Sequence, residues 1–119
     1  MAEFLEAGYQ DIRDHVENTW TYVEVRDDED SVVLRIGAED ERVEWTHDPE
    51  SQELRLELLL SGSDEEITVG TTTVNKSVIY KTDDGGEPLA EEYYSPFVFD
   101  QEEDELLIVH RLQIPKKEQ

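Results

Sequence analysis

Apolar and polar positions along the chain follow two periods in succession. From Ala2 to about Glu17, Leu5, Tyr9, Ile12 and Val16 recur at spacings of four, three and four, which aligns them on one helical stripe. Gly8 weakens that helix by about 1 kcal/mol relative to alanine. The segment predicts a short amphipathic helix packed on a sheet, or a terminal arm that docks on a neighbouring subunit. From Trp20 the period becomes two. Thr21, Val23 and Val25 oppose Trp20, Tyr22 and Glu24; the acidic turn Asp27-Asp28-Glu29-Asp30 then leads to Val32, Leu34 and Ile36, which reads as a hairpin.

After a connection at Gly37 to Glu41, Val43, Trp45 and His47 share one face of a strand. Asp48-Pro49-Glu50-Ser51 makes the next turn. Leu54, Leu56, Leu58 and Leu60 then alternate with Arg55, Glu57 and Leu59 and are expected to supply much of the core. Ser61-Gly62-Ser63-Asp64 breaks the run, and Ile67 to Val74 is expected to resume extended structure, with a turn or bend near Asn75. The profile is mainly β: about seven to eight strands and one short N-terminal helix, in an antiparallel β-sandwich in preference to a barrel.

The stretch from Ser77 to Pro115 organises this pattern. Asp83-Asp84-Gly85-Gly86 is turn chemistry, because glycine supplies the positive φ of tight connections and aspartate tolerates it. Leu106, Ile108, His110, Leu112 and Ile114 then alternate with Leu107, Val109, Arg111 and Gln113, giving a last strand with one apolar face. Pro115 has no backbone donor and should end the ladder, leaving Lys116 to Gln119 as a solvated tail.

An apolar pair, a turn closing on Gly85-Gly86, Leu89-Ala90-Glu91, an aromatic pair before Ser95-Pro96-Phe97, and Asp104-Glu105-Leu106-x-Ile108 with Leu112-x-Ile114 resemble the C-terminal half of small β-rich structural proteins of tailed viruses. The likeness covers about a third of the chain and departs from many members at Val78-Ile79-Tyr80, where they carry Gly-Leu-Phe. The resemblance implies a non-enzymatic virion component whose partners are other virion proteins and copies of itself.

Length fits one domain, 1–119. Charge changes the picture more than length does: 32 acidic against 10 basic residues give a net charge of −22, with 36% of residues hydrophobic. Such a balance alone would suggest disorder, but strands recurring between turns put the charge on the surface of a folded body. Adaptation to molar salt, where charges are screened within a few ångströms, accounts best for acids spread along the whole length. The six arginines exceed the four lysines, a leaning associated with haloarchaeal proteins. The alternatives are a DNA-mimicking inhibitor of a basic partner, which would gather carboxylates on one face, and an ordinary acidic protein.

Without cysteine there is no disulfide, thiolate nucleophile or cysteine-held metal. No run approaches the roughly 18 apolar residues of a membrane span, no secretory signal is visible, and the charge disfavours direct nucleic-acid contact. Asp27 to Asp30 reads as a solvated turn, lacking the glycine and distal glutamate of a helix-loop-helix calcium site. His15, His47 and His110 read as structural, and no nucleophile elbow, phosphate loop, metalloprotease motif or dinucleotide fingerprint appears. No enzyme activity and no cofactor are expected. Trp20, Tyr22, Tyr93, Tyr94, Phe97 and Phe99 are the candidate partner interface, since adjacent rings on extended chain point to opposite faces and some should lie outside the core.

Overall fold

In the computed structural model, which describes residues 2–114, helix α1 (Glu6–Thr19) precedes seven strands: β1 (Tyr22–Arg26), β2 (Val32–Gly37), β3 (Val43–Trp45), β4 (Glu53–Ser61), β5 (Thr73–Tyr80), β6 (Ala90–Val98) and β7 (Glu105–Gln113). They form two antiparallel sheets, β2-β1-β5-β6 (sheet A) and β3-β4-β7 (sheet B), the mainly β, sandwich-like fold the alternation predicts. The expectations for Pro115 and the tail lie outside the described residues.

Sheet B is built on β4. Its four even-numbered leucines, Leu54 to Leu60, are buried, each contributing about 1.5–3 kcal/mol. They stand opposite Leu112, His110, Ile108 and Leu106 of β7 in unbroken register. Sheet A answers with Val23 and Val25 of β1, Leu34 of β2, and Val74 and Ile79 of β5. Phe99, just past β6, is sealed in the same cluster.

Departures from strict alternation have local causes. The β1–β2 register shifts between Val25 and Arg26, so Val32 turns outward at 57% exposure while Leu34 remains in the core. Between β5 and β6, Asn75 stands against Tyr94-Ser95-Pro96, a bulge that accommodates a proline without a ladder donor. Residues 67–72 are not strand. Thr71 and Thr72 both donate to Thr68 O in a turn around Gly70, and extended pairing starts at Thr73. Leu5 lies before the first helical turn, 75% exposed, and the helix instead buries Val16 and Arg13.

Arg13 fastens that helix. Its guanidinium donates to Ile114 O just beyond β7, to the Glu6 carboxylate, and to Gln10 Oε1 at 3.1 Å. Glu17 Oε1 lies 2.6 Å from His47 Nε2, and His47 Nδ1 accepts from Arg55 N at 3.1 Å, so the imidazole links the helix to β4.

Gly85 and Gly86 have φ of 65° and 80°, the left-handed values expected of the β5–β6 connection. Gly62 answers to a different constraint: a Cβ there would come within 2.1 Å of Gln101 O, because the turn after β4 packs directly on the turn before β7. Gly62→Ala should therefore lower stability by about 1–3 kcal/mol in a denaturant titration at molar salt, through backbone displacement.

Candidate interaction surface

The two outer faces of the sandwich are finished differently. On sheet A, Glu24 of β1 points away from the core yet is buried, because arginines close over it. Arg26 Nε donates to Glu24 Oε2 at 2.7 Å, and Arg35 Nε donates to Glu24 Oε1 at 3.1 Å. Arg26 Nη2 also donates to Tyr80 Oη at 2.6 Å, and the Arg35 guanidinium lies 3.6 Å from the centre of the Tyr80 ring. Arg35 Nη1 donates onward to Thr82 O at 3.0 Å and Gly85 O at 2.8 Å, pinning the β5–β6 connection against the sheet. The Glu24 carboxylate holds the Arg26 guanidinium above its ordinary pKa, against the opposing effect of burial. Around Glu24 this face is shut by its own side chains, while Val32 and Tyr93 on the flanking strands stay exposed.

Sheet B's outer face is open. Leu59 of β4 and Leu107 of β7 stand directly opposite one another at 43% and 53% exposure, with half-buried Val109 beside them. Arg55 and Arg111 are likewise directly paired; Glu53 Oε1 lies 3.4 Å from Arg111 Nε and 3.9 Å from Arg55 Nη2. Among the exposed apolar residues, which also include Leu5, Val32 and Tyr93, Leu59 and Leu107 are directly paired across two long regular strands.

The aromatic set does not form one surface. Phe99 is fully buried and cannot touch a partner; Phe97 packs against the core and meets Phe99 edge-on at 5.0 Å. Trp20 caps α1 and packs on the core, as does Tyr94, while Tyr22 is half-buried on the outer face of sheet A. Of the six, Tyr93 presents most of its ring, at 64% exposure, with Lys76 Nζ 5.0 Å from its centre. Alternation along β6 cannot reveal this, because the bulge at Tyr94-Ser95-Pro96 resets which side chains face inward. The missed residues, Leu59 and Leu107, had a visible signal: each is a leucine on the strand phase that carries Glu53, Arg55 and Glu57 in β4 or Glu105 and Arg111 in β7.

A polar bridge crosses the core. Ser77 Oγ of β5 and His110 Nε2 of β7 share a 2.5 Å hydrogen bond, with both residues buried. Burial pushes the His110 pKa down to about 4, and pushes the Tyr94 phenol, close to Ser77, up to about 12. A serine beside a histidine invites a nucleophile–base reading, but both groups are closed off from any substrate, and the arrangement ties the two sheets together. A cleft of about 340 Å³ between α1 and sheet B is lined by Gln10, Arg13, Glu17, Trp45 and His47. The buried Arg13 Nε and Trp45 Nε1 there have no acceptor among the described residues.

Among the described residues no three His, Cys, Asp or Glu side chains are grouped to hold a metal ion, and no helix is long and apolar enough to cross a membrane. The acids of the β1–β2 connection are engaged locally: Asp27 Oδ1 accepts from the amides of Glu29 and Ser31, and Asp30 meets Arg26 and Lys76. No family model, curated protein or solved structure matches this chain.

Two outcomes follow from the buried polar groups. Glu24→Ala leaves two guanidiniums covering an apolar strand without their shared anion, and should cost about 3 kcal/mol in denaturant unfolding. His110 stays neutral in the folded chain and protonates first in the unfolded one, so its contribution is complete above pH 6.5 and is lost as pH falls to about 4. Over that window the wild-type chain should lose roughly 3 kcal/mol more than His110→Gln, read from paired unfolding curves at constant molar salt.

Proposed function

We propose that this chain is a non-enzymatic structural protein of a tailed virus infecting a salt-loving host, assembled with copies of itself and other virion proteins in the capsid, neck or tail. The viral element rests on the resemblance over Ser77 to Pro115, which takes in the second half of β5 and all of β6 and β7. The assembly element is carried by one observation, the opposed pair Leu59 and Leu107 exposed on the outer face of sheet B. A rigid sandwich with such a patch acts by being fitted against neighbours and needs neither substrate nor cofactor.

The brine element is supported by where the acids stand. Exposed carboxylates occur on α1 (Asp11, Asp14), the β1–β2 turn (Asp28, Glu29), the turn after β3 (Asp48, Glu50), the β5–β6 connection (Asp83, Asp84, Glu87) and the turn before β7 (Glu102, Glu103). A phosphate-mimicking inhibitor would concentrate them on one face, and this distribution favours general hydration in molar salt instead.

The decisive measurement is mass spectrometry of purified particles from a salt-loving host that encodes the chain, with the expected result a peptide signal at stoichiometric abundance. Absence from intact particles overturns the virion role. Circular dichroism during dialysis from molar to low salt should show loss of the β signal as screening extends beyond contact distance. A fold unchanged at low salt removes the halophilic element.

A further inference from the structure

We propose that the open edge of β7 is a self-association surface on which a second copy of the chain lays its own β7 antiparallel, giving one continuous sheet β3-β4-β7-β7-β4-β3. This deepens the assembly reading and rests on it in holding that the chain works through contacts with other subunits.

Strand edges expose unpaired N–H and C=O groups, and folded proteins usually blunt them. Three of the four edges here are blunted. β3 has only three residues, β2 is short and carries the register shift, and β6 is interrupted by its bulge with Pro96. β7 runs nine residues, is paired through its whole length with β4 on one side, and has neither bulge nor proline. Its order in the sheet leaves the other side without a neighbouring strand among the described residues.

The free hydrogen-bonding groups can be assigned. Gly62 N donates to Asp104 O and Ile114 N donates to Gln52 O, so even-numbered residues of this strand direct their backbone polar groups at β4. Glu105, Leu107, Val109 and Arg111 therefore direct theirs at the open edge. The same residues carry their side chains on the outer face, opposite to the buried Ile108 and His110.

Side-chain chemistry then selects one register. With Ile108 facing its own copy on the two-fold axis, Leu107 stands against the second copy's Val109, and Glu105 against its Arg111, twice each by symmetry. About eight main-chain hydrogen bonds form across the four pairs. The two Leu59 side chains extend the apolar row on both sides, while each Arg111, which stands opposite Arg55 and 3.4 Å from Glu53, gains a second carboxylate. Moving the axis to Val109 sets Leu107 against Arg111, and moving it to Leu107 sets Glu105 against Val109. Neither alternative register gives both the ion pairs and the apolar pairs.

Salt should act on the long-range and contact terms differently. Two bodies each carrying −22 repel at distance, and this repulsion is screened at about 1 M ionic strength, where the Debye length is about 3 Å, while contact ion pairs and the apolar row persist.

The test is sedimentation equilibrium of the full chain in molar salt. The expected result is a dimer whose dissociation constant rises on dilution of the salt. Glu105→Arg and Arg111→Glu each place like charges opposite one another and should raise the dissociation constant about tenfold; the double variant E105R/R111E should restore it. Val109→Pro removes an edge-directed donor while leaving the β4 ladder intact, and should yield monomer, with its circular dichroism spectrum verifying the fold. A wild-type chain monomeric at every salt and concentration overturns the proposal, as does a dimer indifferent to all these variants. A chain that dimerises through β7 but is absent from particles sinks the virion role alone. A chain present in particles but monomeric in solution, with Glu105→Arg incorporated normally, sinks the pairing alone.

Discussion

Self-repulsion is the constraint on which the rest of this structure depends. A body with a net charge of −22 and a modest core has few cations, and the fold places most of the described ones where they tie separate segments together. Arg42 shows the pattern. Asp40 and Glu66, both within 3.0 Å, hold its guanidinium above the ordinary value, and Asp64 lies at 3.3 Å, so one side chain binds the loop before β3 to the loop before β5. In return Arg42 holds the carboxyls of Asp40 and Glu66 below their usual range. Arg13 does comparable work between α1 and the end of β7, and Arg35 between β2 and the β5–β6 connection. The planar fork of arginine suits this use, because several donors reach different segments at once.

The core gives these ties something to hold. β4 supplies a row of leucines in register with β7, and sheet A closes over them with small β-branched residues. Ser77 and His110 interrupt the apolar contact with one hydrogen bond between the sheets. An isolated polar group there would cost more than the bond returns, so the pair must be kept together, and it makes the relative position of the two sheets specific.

The two outer faces show how the same composition yields different surfaces. On sheet A, Glu24, Arg26, Arg35 and Tyr80 interlock and pull the connecting loop down over the strands. On sheet B, leucines occupy the phase that charge would normally take, and a long regular edge lies beside them. The difference lies in which residues the register brings opposite one another, including the β1–β2 shift that sets Arg26 against Val32.

What the sequence determined by itself was most of the elements and the inward phase of β4 and β7: the period of two in Leu54 to Leu60 and Leu106 to Leu112, the helical spacing through Tyr9 and Val16, and the turn at Gly85-Gly86 all depend on local geometry. Tertiary structure decided the features that need a cross-strand neighbour. Glu24 is buried because arginines from its own strand and from β2 converge on it, Val32 is exposed because a register shift moves it, and Phe99 is sealed because the chain beyond the β6 bulge folds into the core. Periodicity reports which way a side chain points along its own strand, whereas burial, pairing and an uncovered edge depend on what other segments place there.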